Sequence, residues 1–299
     1  MTEHPPGADE AETLLLGALS LDRYVPDGPV LPGGGALNVG WHWRSLGLPF
    51  RLITRVGDRE APIFLDMLDR HGIDHGGREA IVRDGPSASI DIDVLPDREI
   101  WMDHYVEGVC SDLRFTPGEE GVLAGARRLH AILVEGVIAE LGRLGEAGLL
   151  QGMEVCADFL GFRHYTPVRF ADTMRWVDLA IVGWPGAPDD DDVAELRRTV
   201  DGLGKRLVVT FGSNGVLVVD GTAGSARLID VQPVPVTGTT SAVATRSSPT
   251  SWPSGGRPAT CRPRPSEARS VGRCRPPGSD PSPTRRTDRC SARCAPSGT

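Results

Sequence analysis

Three short stretches of this sequence combine glycine with a side chain able to hold a hydroxyl or a phosphate. In Gly17-x4-Asp22 an aspartate follows an apolar run, 13–19, that reads as a buried strand. Ligands of open α/β sheets bind outside the carboxyl ends of the strands, so a carboxylate there can accept a substrate hydroxyl. A turn or capping aspartate is the plainer alternative. In Gly33-Gly34-Gly35-Ala36-Leu37-Asn38, bare backbone opens a helical pattern over 36–46. A ligand can approach the N–H groups of such a helix start closely, and Asn38 offers both a donor and an acceptor. As a dinucleotide fingerprint the stretch fails, because Asn38 stands in the third glycine's place and the run from Pro29 to Pro32 does not read as a strand. A structural loop remains its alternative. Thr210-x-Gly212-x-x-Gly215 lies between two strand patterns, where it can cradle a nucleotide phosphate or close a tight β-turn. There is no P-loop: the one lysine, Lys205, follows no G-x-x-x-x-G.

The elements that must position these residues follow from periodicity. Strands are expected at 13–19 and 50–56, and helices at 36–46 and 61–70, with Gly47 and Gly72 as stops. Ser87, Ser89, Asp91 and Asp93 alternate with Ala88, Ile90, Ile92 and Val94, the mark of a sheet with one wet face. A turn at Pro96 and Asp97 leads back along 98–105, giving a hairpin. Near-continuous apolar runs at 131–135, 154–158, 179–182 and 207–210 read as parallel strands covered on both faces. Helices near 139–149, 168–176 and 192–203 separate them, and a hairpin-like pair follows at 215–220 and 226–230. The expected body is a doubly wound α/β sheet with a small antiparallel flap.

At Thr240 the composition changes. Residues 241–299 contain no Leu, Ile, Phe, Tyr or Met, and set Val243, Trp252 and Val271 among 11 Arg, 11 Ser and 10 Pro. Such a segment cannot bury enough apolar surface to offset the entropy of ordering its backbone, so it is expected to be disordered. Its arginines face only Glu267, Asp280 and Asp288, a net of +8, which leaves the first 240 residues at −16. An acidic body argues against a nucleic-acid-binding surface. The first twelve residues lack an apolar signal core and no run approaches membrane-spanning length, so a cytoplasmic protein without a membrane partner is expected. Cys261, Cys274, Cys290 and Cys294 fit no common zinc spacing. Cys110 and Cys156 read as ordinary core or flap thiols. His71 and His75 stand four apart, but Gly72 breaks the helix between them, and they read as a surface pair without a third metal ligand.

Taken in order, the motifs resemble the ribokinase/PfkB family of carbohydrate kinases over residues 13–240. Gly17 to Asp22 is similar to the family's opening strand with its sugar-binding aspartate. Gly33 and Gly34 with Asn38 resemble the first signature, whose asparagine also contacts the sugar. Leu46-Gly47 and Val56-Gly57-Asp58 stand where the family has its "LG" and "VGxD" elements, and the hairpin at about 87–105 where it has a β lid. Asp158 with Arg163 is similar to "DxxxxR", and Thr210, Gly212 and Gly215 to the ATP-site "TxGxxG". The resemblance implies a ribokinase-like fold (domain 1–240, tail 241–299), ATP and Mg2+ as cofactors, and a sugar or nucleoside as substrate. It also allows a homodimer through the lid.

Two departures qualify it. Where the family carries N-x-x-E, tied to magnesium and phosphate handling, this chain has Gly183 and Gly186 within Gly183-Trp184-Pro185-Gly186. The nearby Asp189-Asp190-Asp191-Asp192 can supply carboxylates, though a helix start favouring negative charge explains that run more simply. After a strand expected at 234–236 the family has G-A-G-D, whose N–H groups stabilise the moving phosphoryl group and whose aspartate is the base. This chain reads Thr239-Thr240-Ser241-Ala242-Val243-Ala244-Thr245-Arg246-Ser247, with no acid and no glycine. The catalytic base is therefore expected to be absent and the chain inactive. GGC GAC GCG TTC, encoding Gly-Asp-Ala-Phe, read one base later with an A following gives Ala-Thr-Arg-Ser, the residues at 244–247. A one-base frameshift near Thr240 would thus account for both the lost motif and the tail, the alternative being a genuine divergent tail. Without the family's C-terminal helices, strands over 207–217 are expected to expose apolar surface.

Overall fold

The computed structural model describes residues 13–95, 100–162 and 165–232. The expectations placed on Arg163, on the strand at 234–236 and on the tail lie outside the described residues.

The chain opens with β1 (Thr13–Leu16), β2 (Ser20–Tyr24) and β3 (Val30–Gly33), then α1 (Gly35–Ser45), β4 (Arg51–Ile53), β5 (Val56–Gly57), α2 (Ala61–Arg70), α3 (Arg78–Ile81) and β6 (Val82–Arg83). The hairpin strands β7 (Ala88–Val94) and β8 (Ile100–Val106) follow, then a 3-10 turn at Gly108–Asp112 and α4 (Pro117–Gly125). Alternation then brings β9 (Arg128–Ile132), α5 (Glu135–Glu146), β10 (Glu154–Asp158), α6 (Pro167–Thr173), β11 (Leu179–Gly183), α7 (Asp191–Leu203) and β12 (Arg206–Thr210). The hairpin of β13 (Val216–Asp220) and β14 (Ser225–Ile229) closes the described chain.

Eight strands form the main sheet in the order β14-β13-β12-β11-β10-β9-β1-β4. From β4 through β12 every pairing is parallel, and β13 and β14 add antiparallel pairs. Side chains on a strand point alternately to the two faces. Leu14, Leu16, Leu129, Val155, Ala180, Val182, Leu207 and Val209 share a core with Leu141 of α5, Phe170 of α6 and Leu196 of α7. On the other face Leu15, Leu52 and Ile132 pack with Leu37 of α1 and with Phe64 and Leu68 of α2.

This second face is covered only in part. Cys156 pairs in register with Leu179, and Ile181 with Val208 and Val218, yet none of the five is buried. Each forgoes part of the roughly 1.5–3 kcal/mol that full burial of such a side chain supplies. The apolar exposure expected over 207–217 is therefore displaced. Leu207 and Val209 are fully covered by the helices of the first face, while Val218, Leu228 and Ile229 are exposed.

The lid is a four-stranded sheet in the order β3-β2-β7-β8. The expected hairpin is only half of it, because β2 leaves the main sheet and pairs parallel with β7 and antiparallel with β3. One strand was expected over 13–19; two form, since β1 ends at Leu16 where the main-sheet pairing ends and the chain then crosses into the lid. The stretch before the Gly33 glycines is also a strand, β3, which a proline tolerates because β3 lies at the lid's edge. One lid face is apolar, with Ile92 and Ile100 against Tyr24, Ile90 and Met102. On the other, Asp91 accepts from Arg23 at 2.8 Å and meets His104 at 3.1 Å.

Candidate functional site

Asp22 sits in the middle of β2, inside the lid sheet rather than in a turn past the first strand. The period of two puts Ser20 on the same side of the strand, and its hydroxyl donates to Asp22 Oδ1 at 2.8 Å. Burial pushes the Asp22 carboxyl up to about 6, and the Ser20 bond offsets part of that rise. Across the pair, Gly33 lies under the carboxylate: a Cβ there would stand 2.1 Å from Asp22 Oδ2. Gly34 has φ +102, a conformation that L side chains rarely adopt, and it starts α1 against the crossover between β1 and β2. Asn38 stands in the first turn of α1, its N–H bonded to the Gly34 carbonyl at 3.1 Å. The fold thus holds Asp22 and Asn38 on either side of the Gly33–Gly34 pair. Sequence reasoning missed Ser20, although the i, i+2 rule on a strand exposes it.

The remaining motifs stand at the carboxyl edge of the parallel strands. β9 ends next to Glu135, which meets Arg169 at 2.6 Å. After β10, Asp158 Oδ1 accepts the Leu160 N–H at 2.8 Å, and Leu160 and Phe162 take φ values of 54 and 59. Two such residues two positions apart store backbone strain at the edge where a ligand would sit, and composition gives no signal for it. After β11, Asp190 Oδ2 accepts the Trp184 indole N–H at 2.8 Å and the Ala187 N–H at 3.1 Å. A Cβ on Gly186 would lie 2.0 Å from that same oxygen. The position where the family carries glutamate is therefore committed to glycine, and Asp190 to tying its own loop. After β12, the 210–215 loop is a closed turn. The Phe211 N–H bonds the Gly215 carbonyl at 3.0 Å, and Gly212 and Gly215 take φ of +59 and +105. A Cβ on Gly212 would meet nothing within 4 Å, and Ser213 and Asn214 are exposed. The two readings of this motif thus coexist, a tight turn with an open outer side.

No family model matches the sequence, and no curated protein matches it. Solved structures do. A ribokinase from Giardia lamblia superposes with a TM-score of 0.65 at 16% identity, over 79% of this chain and 80% of that one. Arabidopsis thaliana ribokinase complexed with ribose and ATP gives 0.59 at 15%, over 79% and 83%. Burkholderia thailandensis nucleoside kinase in complex with inosine gives 0.52 at 19%, over 73% and 75%. The chain has a ribokinase-like fold. In this ribokinase-like frame Asp22 and the Gly33 glycines lie at the lid end of the sheet edge, and the 210–215 loop at the β12 end.

Mg2+ is ordinarily held by one or two carboxylates together with substrate phosphates, so it needs no ready-made protein cage. Among the described residues no three His, Cys, Asp or Glu side chains gather as a metal site, and Asp190 is already spent on Trp184 and Ala187. At the 210–215 loop the outer side of Gly212 is open. The histidine pair is corrected: His75 is buried, not at the surface, because its ring bridges Asp69 at 3.0 Å and the Gly77 N–H at 3.2 Å. Cys110 is a core thiol, and burial pushes it and Cys156 up to about 12. Among the described residues no helix is long and apolar enough to cross a membrane.

Proposed function

We infer that this chain is a carbohydrate kinase-like protein that keeps the binding half of a phosphotransferase and has lost the transfer half. In intact relatives the reaction is ATP-dependent phosphorylation of a sugar or nucleoside hydroxyl. Here Asp22 and Asn38 grip the polyol, the lid of β2, β3, β7 and β8 excludes water, and Thr210, Gly212 and Gly215 help to hold ATP. ATP would supply the phosphoryl group. Proton removal from the hydroxyl needs a base within hydrogen-bond reach, and the G-A-G-D aspartate is missing from the sequence. No step is assigned to Mg2+.

The observation that carries the binding reading is the half-buried Asp22 carboxylate over Gly33, raised to about 6 and held by one hydroxyl. A structural aspartate gains nothing from such a place, whereas a substrate hydroxyl would repay its burial. The frameshift near Thr240 belongs to the same proposal, as does a cytoplasmic, non-nucleic-acid role for a body of net charge −16. A homodimer through the lid is supported by Val30 and Leu31, exposed on the edge strand β3. Calorimetry with ribose, inosine and ATP, run beside a turnover assay, tests it. Binding without turnover is expected, and the absence of any sugar, nucleoside or nucleotide binding overturns it. A purely non-catalytic binding protein is the second reading, favoured by Asp190 packing on Gly186 so closely that the family's glutamate has no space there; resequencing around codon 240 separates the two.

A further inference from the structure

A cavity of about 360 Å³ opens where β6, the 3-10 turn at Gly108–Asp112 and the start of α4 meet. Arg55, Arg83 and Arg114 line it together with Asp84 and Asp112. None of these residues carries the candidate site described above. Arg55 is neutralised at its base by a bidentate pair with Glu119, at 2.9 and 2.7 Å.

Arg83 is different. Its guanidinium donates only to the Glu79 and Val82 carbonyls, at 3.2 and 2.8 Å, and makes no ion pair among the described residues. Burial and the nearby Arg55 hold it below the usual arginine range, so the place would favour a negative charge. Arg114 is also poorly matched. Its Nε stands 3.6 Å from Glu140 Oε2, a carboxylate already bonded twice by Arg143 at 2.8 and 2.7 Å. Thr116, the N-cap of the nine-residue α4, lines the same wall, but its capping box with Glu119 already satisfies that helix end. Asp84 and Asp112 pair with neither arginine, and acceptor carboxylates of this kind suit hydroxyl groups. Val109 and Phe115 add apolar lining for a carbon skeleton.

We propose that this cavity binds a small sugar phosphate, with the phosphoryl group on Arg83 and Arg114 and the hydroxyls on Asp84 and Asp112. The volume lies at the small end of the range for ligand pockets, which suits a metabolite of that size. Guanidinium forks match phosphoryl oxygens bidentately, and the Arg83 and Arg114 guanidiniums keep donors open beside two carboxylates that pair with neither of them, so the cavity can read both ends of one molecule.

The test is calorimetry on the full chain with ribose 5-phosphate, inorganic phosphate and ribose as separate probes. Ribose 5-phosphate should bind most tightly. Arg83→Ala should weaken it by about tenfold or more, the usual loss for hydrogen bonds to a charged group. Asp22→Ala should weaken the ribose probe and leave the inorganic phosphate probe unchanged, which separates this cavity from the sugar site under the lid. Arg114→Ala and Asp84→Asn change exposed side chains and serve if Arg83→Ala fails to fold. Arg114→Ala should weaken both phosphorylated probes, and Asp84→Asn should narrow the gap between ribose 5-phosphate and inorganic phosphate. Equal binding of inorganic phosphate and ribose 5-phosphate overturns the proposal. So does inorganic phosphate binding that Asp22→Ala abolishes, or binding that all three cavity variants leave unchanged.

Discussion

Asp22, in β2 of the lid sheet, and Asp190, in the loop after β11 of the main sheet, are two aspartates treated in opposite ways. Asp190 spends an oxygen on two short bonds that tie the loop after β11. Asp22 is packed over Gly33 with one hydroxyl bond, and burial alone raises its carboxyl to about 6. An ionised carboxylate has about four acceptor positions, so Asp22 keeps acceptors in reserve while bearing the desolvation cost. A reserve of that kind is the signature of a ligand site, and saturation is the signature of a structural one. On the proposed reading the Asp22 corner of the lid is the binding element and the Asp190 loop is scaffold.

The largest expected effect breaks or sharpens that contrast directly. The chain as written should show no ATP-dependent phosphorylation of hexoses, pentoses or nucleosides above background in an ADP-release assay. Restoring the reading frame after Thr240 should bring activity. Changing the restored aspartate to Asn should then remove about two to four orders of magnitude, the usual contribution of a positioned base. Robust turnover by the 299-residue chain would end the inactive reading, and Asp58 and the Asp189-Asp190-Asp191-Asp192 run would become the candidates for a substitute base.

A second effect is on stability and its pH dependence. The Asp22 carboxyl titrates near 3.8 when unperturbed and near 6 in the fold. Below the lower value both folded and unfolded chains are protonated, and the folded state carries no burden. As pH rises through that window the unfolded state loses its proton first, so stability falls, by about 3 kcal/mol at most by neutral pH. Asp22→Asn should therefore raise the melting temperature at pH 7, with the gain vanishing by about pH 4. A variant that melts lower than the parent at neutral pH would show that the charge is stabilised by something beyond Ser20.

Third comes the ligand itself. Asp22→Ala should weaken sugar binding by about 1–3 kcal/mol, the loss of a charged hydrogen bond, as read by calorimetry near neutral pH. Unchanged affinity would remove Asp22 from the site.

How much of this was legible in the sequence depends on the range of the interaction. The parallel strands β9 to β12 and the helices between them follow from local apolar runs, and α2 forms over the residues its periodicity marks. The lid was only half legible. The 88–106 hairpin shows its alternation, but β2 and β3 are recruited by pairing with β7 and by a crossing at Leu16, neither of which is a local property. The same holds for the site. Asp22, Asn38 and the 210–215 loop are visible as motifs, whereas the Gly33–Asp22 packing and the strain at Leu160 and Phe162 arise from tertiary contact. Burial of His75 was misread because Gly72 ends the helix yet leaves the ring free to cap the next turn.

The smallest expected effect tests the other half of the contrast. If Asp190 is scaffold, Asp190→Ala leaves the Trp184 indole N–H and the Ala187 N–H without their acceptor. Trp184 is 3% exposed and meets the Phe162 ring edge-on, so water cannot easily replace the lost bond at the indole. The cost should be about 1–2 kcal/mol of stability, measured by chemical denaturation. Sugar affinity should not move, because β10 and β9 stand between β11 and β1, from which the chain crosses to Asp22. Loss of sugar binding in Asp190→Ala, with little change in stability, would reverse the assignment. It would make the β11 loop part of the ligand site, and the contrast between a reserved and a saturated aspartate would no longer hold.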